Sequence, residues 1–126
     1  MDHNDARPTT QLWRHHQMAR RPLPQCHGGV GALDWTEVFN ADASPHRRVL
    51  KFIHDDILPP GSSVGEHTHA GDEEYYYILE GEGEMTLDGV VHKVTAGDLT
   101  AVFPGGSHAL RNTGSTDMRI LVICAG

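Results

Sequence analysis

Short runs rich in apolar and β-branched residues recur at spacings of roughly 8–12 residues along most of this chain, and glycine, proline or Asp-Gly cuts each run. Runs so short cannot complete the apolar stripe of a helix. On a strand, by contrast, every second side chain reaches the same face. Many short strands in one chain need closure, because an open sheet leaves unpaired edges. The expected fold class is all-β, a small antiparallel β-barrel or jelly roll, and 126 residues provide for one core.

The individual runs can be placed. Val30 to Phe39 reads as a strand and Asn40 to Pro45 as a turn. Arg47 to Leu58 reads as a long strand that stops at Pro59-Pro60-Gly61. Val64 to His69 and Glu74 to Glu80 follow, separated by Ala70-Gly71-Asp72. Met85 to Leu87 and Val90 to Val94 flank Asp88-Gly89, the pair a two-residue type I′ hairpin asks for, since both central positions need positive φ. Leu99 to Phe103, Ser107 to Arg111 and Met118 to Cys124 complete the series. Residues 1–25 contain Pro8, Pro22 and Pro24 and hold no sustained period, so they are expected to form an N-terminal arm ahead of a single barrel domain over 26–126.

Composition excludes several classes of function. A net charge of −7 is wrong for a polyphosphate partner, which argues against nucleic acid. The longest apolar run, Ile120 to Ala125, falls far short of the roughly 18–20 residues that span a bilayer, so no membrane is expected. The polar start Met-Asp-His-Asn-Asp leads into no apolar signal region, and a cytoplasmic location is expected. Cys26 and Cys124 lie far apart outside any CxxC pattern and read as reduced thiols, Cys124 as a core filler.

Chemistry concentrates between Gly61 and Gly81, where His67, His69 and Glu74 follow one another closely, and a fourth candidate, His108, comes after Pro104-Gly105-Gly106. Residues two apart on a strand share a face with Cα atoms roughly 6.6 Å apart, so His67 and His69 can turn inward toward one ion. A bare His-x-His is weak evidence, and a hydrogen-bonded histidine cluster is the bland alternative. Burying several such side chains without an ion or full pairing is costly, however.

The run Gly61-x5-His67-x-His69-x4-Glu74-x6-Gly81, with Gly97-x5-Phe103-Pro104-Gly105-x2-His108-x3-Asn112 after it, resembles the two signature motifs of the cupin superfamily. Residues 61–112 carry the match, and within the family the chain looks most like the short one-barrel proteins related to oxalate decarboxylases. The resemblance implies a small β-barrel with a divalent metal held by His67, His69, Glu74 and His108. It departs from the family at Phe103, where proline is usual, with Pro104 in the next slot. A shorter gap would select Glu73, but the six-residue distance to Gly81 favours Glu74, and only one of two adjacent strand residues can face the ion.

Three imidazoles and a carboxylate without thiolate suit Fe, Mn, Ni, Co, Cu or Zn, and four ligands on an octahedral ion leave positions open for substrate or O₂. Neither a Ser/His/Asp nor a Cys/His arrangement is visible, so catalysis is expected to pass through the metal. Candidate catalytic groups are Glu74, which could act as a base; Tyr76, which shares its face by strand parity; and His54, at the end of the 47–58 strand. His92, after the Asp88-Gly89 hairpin, is expected to be exposed, and the remaining histidines, His3, His15, His16, His27 and His46, lie in turns or the arm without ligand spacing.

The function expected is that of a metal-dependent enzyme acting on a small chelating oxygen-bearing molecule, in the manner of a dioxygenase or decarboxylase. The alternatives are a metal-dependent isomerase or epimerase of a sugar-like substrate and a non-catalytic binding module. The expected partners are that small molecule and, from the resemblance, a second copy in a homodimer using outward Tyr75, Tyr77 and Leu79.

Overall fold

The computed structural model describes residues 10–43 and 49–126. His3, His46 and the first residues of the strand expected from Arg47 lie outside the described residues. The described residues form ten strands: β1 (Arg20–Pro24), β2 (Ala32–Asn40), β3 (Leu50–Leu58), β4 (Ser63–Thr68), β5 (Glu73–Glu80), β6 (Glu82–Leu87), β7 (Val90–Thr95), β8 (Leu99–Val102), β9 (Ser107–Arg111) and β10 (Met118–Ala125). They pair antiparallel into a six-stranded sheet, ordered β1-β2-β3-β10-β5-β8, and a four-stranded sheet, ordered β4-β9-β6-β7. Two facing antiparallel sheets, crossed between by the chain, make the jelly-roll barrel that the short punctuated runs require.

The core lies between the sheets. Strand β10 shows the period most plainly: Met118, Ile120, Val122 and Cys124 are buried while the residues between them are half-exposed. Their inward side chains meet Tyr76 and Ile78 of β5, Leu58 of β3, Val64 of β4, Met85 of β6 and Leu110 of β9. Cys124 is the core filler its alternation implies, with burial pushing its thiol up to about 12.

Turn chemistry sets the register of the second sheet. Asp88 and Gly89 take φ of 48° and 81°, as a type I′ turn demands, and Val90 pairs with Leu87 across it. The same Asp88 ties the hairpin to β9, because its carboxylate accepts the Ser107 N–H at 2.8 Å and its own N–H donates to the Ser107 carbonyl at 2.9 Å. That anchor sits one residue before His108.

Residues 20–24, within the stretch expected to be an arm, form the edge strand β1. It pairs along β2 from Arg20 opposite Thr36 to Pro24 opposite Ala32. Both prolines lie on an edge, where a missing N–H is tolerated. Earlier in the arm, Trp13 packs edge-on against Phe39 at 5.5 Å. No helix among the described residues is long and apolar enough to cross a membrane.

Candidate metal centre

Four side chains from both sheets converge. His67 lies on β4 directly opposite His108 on β9. His69 follows the end of β4, where its backbone is clamped to the Pro104–Gly106 turn: its N–H donates to Gly106 O at 3.0 Å and its carbonyl accepts the Gly105 N–H at 2.7 Å. Glu74 comes from the other sheet, on β5 between Cys124 and Val102. It is Glu74 and not Glu73 that faces inward, 6% exposed, as strand parity requires of adjacent residues.

The geometry fits a cation. His108 Nε2 lies 2.9 Å from His67 Nε2 and 3.2 Å from His69 Nε2. Glu74 Oε1 is 3.1 Å from His108 Nε2, 3.3 Å from His69 Nε2 and 3.8 Å from His67 Nε2. Ligands held about 2.1 Å from one ion sit about 3.0 Å apart in an octahedron and about 3.4 Å apart in a tetrahedron, close to most of these separations.

The tautomers decide the matter further. His67 Nδ1 donates to the Gly65 carbonyl at 2.8 Å, and His69 Nδ1 donates to Asp72 Oδ1 at 2.8 Å. A carbonyl and a carboxylate can only accept, so in the neutral rings both protons are on Nδ1 and both Nε2 atoms present lone pairs to the centre. His108 Nε2 carries at most one proton and cannot satisfy both. A shared cation reconciles three converging nitrogens with one carboxylate, and the set can hold a metal ion.

The electrostatics favour an ionised carboxylate and a neutral His108. Burial alone pushes the Glu74 carboxyl up, but His108, His67 and His69, whenever their imidazoles are protonated, outweigh it and hold it at about 2. Burial lowers His108. Burial also opposes the charged form of His67, but the nearby Glu74 carboxylate and the Gly65 carbonyl raise it on balance.

The remaining residues singled out from the sequence divide. Tyr76 is brought to the site: it is 4% exposed, shares the inner face with Glu74, and its ring centroid lies 4.7 Å from that of His108. Burial, then the neighbouring Glu74 charge, raises its hydroxyl well above the ordinary value, so it stays a hydrogen-bond donor. His54 shares that face but stands two strands away, in the row His54, Val122, Tyr76. It stacks on Phe52 at 4.4 Å, meets Trp35 edge-on at 5.2 Å, and has Nδ1 4.0 Å from Asp56 Oδ2, with burial lowering its pKa. Asn112, the last residue of the second motif, is a turn lock: its amide donates to Leu58 O and Thr116 O, both at 2.8 Å.

Sequence reasoning passed over Asp72, His27 and Asp56. Asp72 accepts from His69 through Oδ1 and from Lys51 through Oδ2 at 2.9 Å, so it orients the His69 ring while itself held by the Lys51 ammonium. Its spacing of three residues from His69 around Gly71 was the available signal. His27 lies against His67 in space and nowhere near it in sequence, so no local pattern points to it.

A family model described as Cupin domain matches residues 56–124. The oxalate-binding protein of Thermotoga maritima is 35% identical over 115 residues, covering 91% of this chain and 93% of that one. A Thermotoga maritima crystal structure, described as a predicted oxalate decarboxylase, superposes with a TM-score of 0.84 at 32% identity, covering 91% of this chain and 98% of that one. A 5-nitrosalicylic acid 1,2-dioxygenase of a Bradyrhizobium species is 33% identical over 67 residues, which span 53% of this chain and 32% of that enzyme. With its barrel, its converging three-histidine and glutamate set and this family match, the chain belongs to the cupin family.

Proposed function

We propose that this cupin holds one divalent transition metal through His67, His69, Glu74 and His108 and acts on a small oxyacid or enol that chelates the metal, in the manner of a dioxygenase or decarboxylase. The observation that carries this reading is the convergence of three imidazole nitrogens and one carboxylate oxygen on a common centre, all within 4.8 Å of one another. When bound, a divalent ion supplies Lewis acidity, and a redox-active one adds electron exchange with O₂.

The chain's own residues do the rest. Glu74 is held ionised by positive charge at the centre, whether on a protonated imidazole or on a bound cation, and can take a proton at Oε1 only when that charge is displaced. Tyr76 keeps its proton and offers an O–H donor on the wall beside His108. The buried Val122, Ile120 and Ile78 behind it exclude water from that side.

The similarity to an oxalate-binding protein over most of both chains favours a second reading, stoichiometric capture of a small dicarboxylate at the same centre. Metal analysis of purified protein is expected to give near one equivalent of a transition metal, lost in folded His67→Ala and His108→Ala variants. Unchanged metal content in those variants would falsify the ligand assignment. Oxygen consumption and product analysis with chelating acids, set beside calorimetric binding of the same acids, separate turnover from capture.

A further inference from the structure

The imidazole of His27 lies flat against that of His67, with ring centroids 3.7 Å apart and planes 10° from parallel. It is presented by a 3-10 turn over Cys26–Gly28, and His27 and the capping residue Gln25 just before the turn both take φ of 49°. The left-handed region costs a non-glycine residue on the order of 1 kcal/mol or more, and such residues persist where their surroundings over-determine them.

Here the surroundings do so. The N–H groups of Gln25, Gly28 and Gly29 donate to Gly31 O, Gln25 O and Cys26 O at 2.8–2.9 Å. The loop is then sewn to β4: Val30 N–H donates to Ser63 Oγ and Ser63 N–H to Val30 O, both at 2.8 Å. Gly29 and Gly65 touch backbone to backbone. A Cβ on Gly65 would collide with the His27 carbonyl, and one on Gly29 with the Ser63 carbonyl.

Gly65 is also the residue whose carbonyl accepts the His67 Nδ1 proton. Through its α-carbon it seats the His27 loop, and through its oxygen it sets the edge of the His67 ring. The two imidazoles are therefore registered to one residue, and His67 is confined at both its edge and its face. The ring nitrogens of His27 are not among the atoms that converge on the common centre.

We propose that His27 is a positioning residue for His67, its ring holding the neighbouring imidazole at the angle that aims Nε2 into the centre and covering that face against solvent. This rests on the reading of His67 as a metal ligand. It assigns a purpose to two strained residues and a glycine–glycine contact that a barrel without a site would not need.

The test compares wild type, His27→Ala and His27→Phe, each loaded with Co²⁺. The readouts are the rate of Co²⁺ release to excess chelator, the visible d–d spectrum, and the melting temperature of the metal-free protein. His27→Ala is expected to release Co²⁺ about 10–100-fold faster with an altered spectrum, the usual scale for losing a residue that orients a ligand. His27→Phe, which keeps a flat ring without nitrogens, is expected to restore most of the wild-type rate. Release at the wild-type rate in His27→Ala, with only the metal-free melting temperature lowered, would make the contact merely structural and overturn the proposal. Equal acceleration in Ala and Phe would also overturn it, by assigning the effect to a ring nitrogen. Wild type that takes up no Co²⁺ fails in the first arm, before any variant is compared, and overturns the metal reading along with this one.

Discussion

Asp56→Asn is expected to stabilise the protein increasingly as pH rises. Asp56 lies on the inner face of the large sheet, opposite Trp35 and Ile120, and is 4% exposed. Burial pushes its carboxyl from 3.8 up to about 7. A backbone hydrogen bond from Thr36 and the charge of Arg20 oppose the rise, while Asp55 and Glu74 add to it. The folded chain therefore binds a proton that the unfolded chain has released between those two values. Stability from this group is fully present below 3.8 and is lost as pH rises through about 7. At about 1.4 kcal/mol per pH unit the gap amounts to about 4 kcal/mol, of which roughly half or more falls between pH 5 and pH 8.

Asparagine does not titrate, so the stability of Asp56→Asn relative to wild type should rise by about 2–3 kcal/mol across that interval. Urea unfolding followed by tryptophan fluorescence at the two pH values, with chelator present to remove metal linkage, measures it. With slopes of about 1–3 kcal/mol per molar urea, the midpoint difference should grow by about 1 M or more. A stability difference between the two proteins that stays constant from pH 5 to pH 8 would refute the reasoning, because it would mean that Asp56 is ionised throughout and matched by partners in the fold.

Two further outcomes are expected. Asp72→Asn weakens the hold on the His69 tautomer, and metal affinity, measured by chelator competition, should fall about 10–100-fold while the fold persists. Exposed Tyr77 and Leu79, each 39% exposed, and Leu99, 60% exposed, lie on the outer side of β5 and β8. We propose that two copies pair there: light scattering should give twice 13.8 kDa, and Tyr77→Glu should return the mass to one chain.

The strand series was legible because each strand's evidence is local. Alternation in Met118–Ala125 and the positive-φ pair Asp88-Gly89 depend on residues within one or two positions of each other, and both appear in the structure. The candidate metal cluster was legible for a different reason, since His67 and His69 carry their own parity and the spacing to Glu74 and His108 follows a family pattern. The edge strand β1 was not, because it is held by pairing with β2 and carries no alternation of its own.

By itself the sequence determined an antiparallel β barrel, because strand parity and turn chemistry act over neighbouring residues, and its resemblance to a family motif named the four candidate donors. The tertiary structure decided how those donors meet. Glu74 joins the three histidines only because the two sheets face one another, and Asp72 reaches His69 Nδ1 only because the loop after β4 bends back. His27 comes to lie on His67 only because Gly29 and Gly65 lack side chains at the point of contact. Contacts between segments far apart in the chain depend on how closely backbones approach in space, and no spacing along the chain encodes that distance.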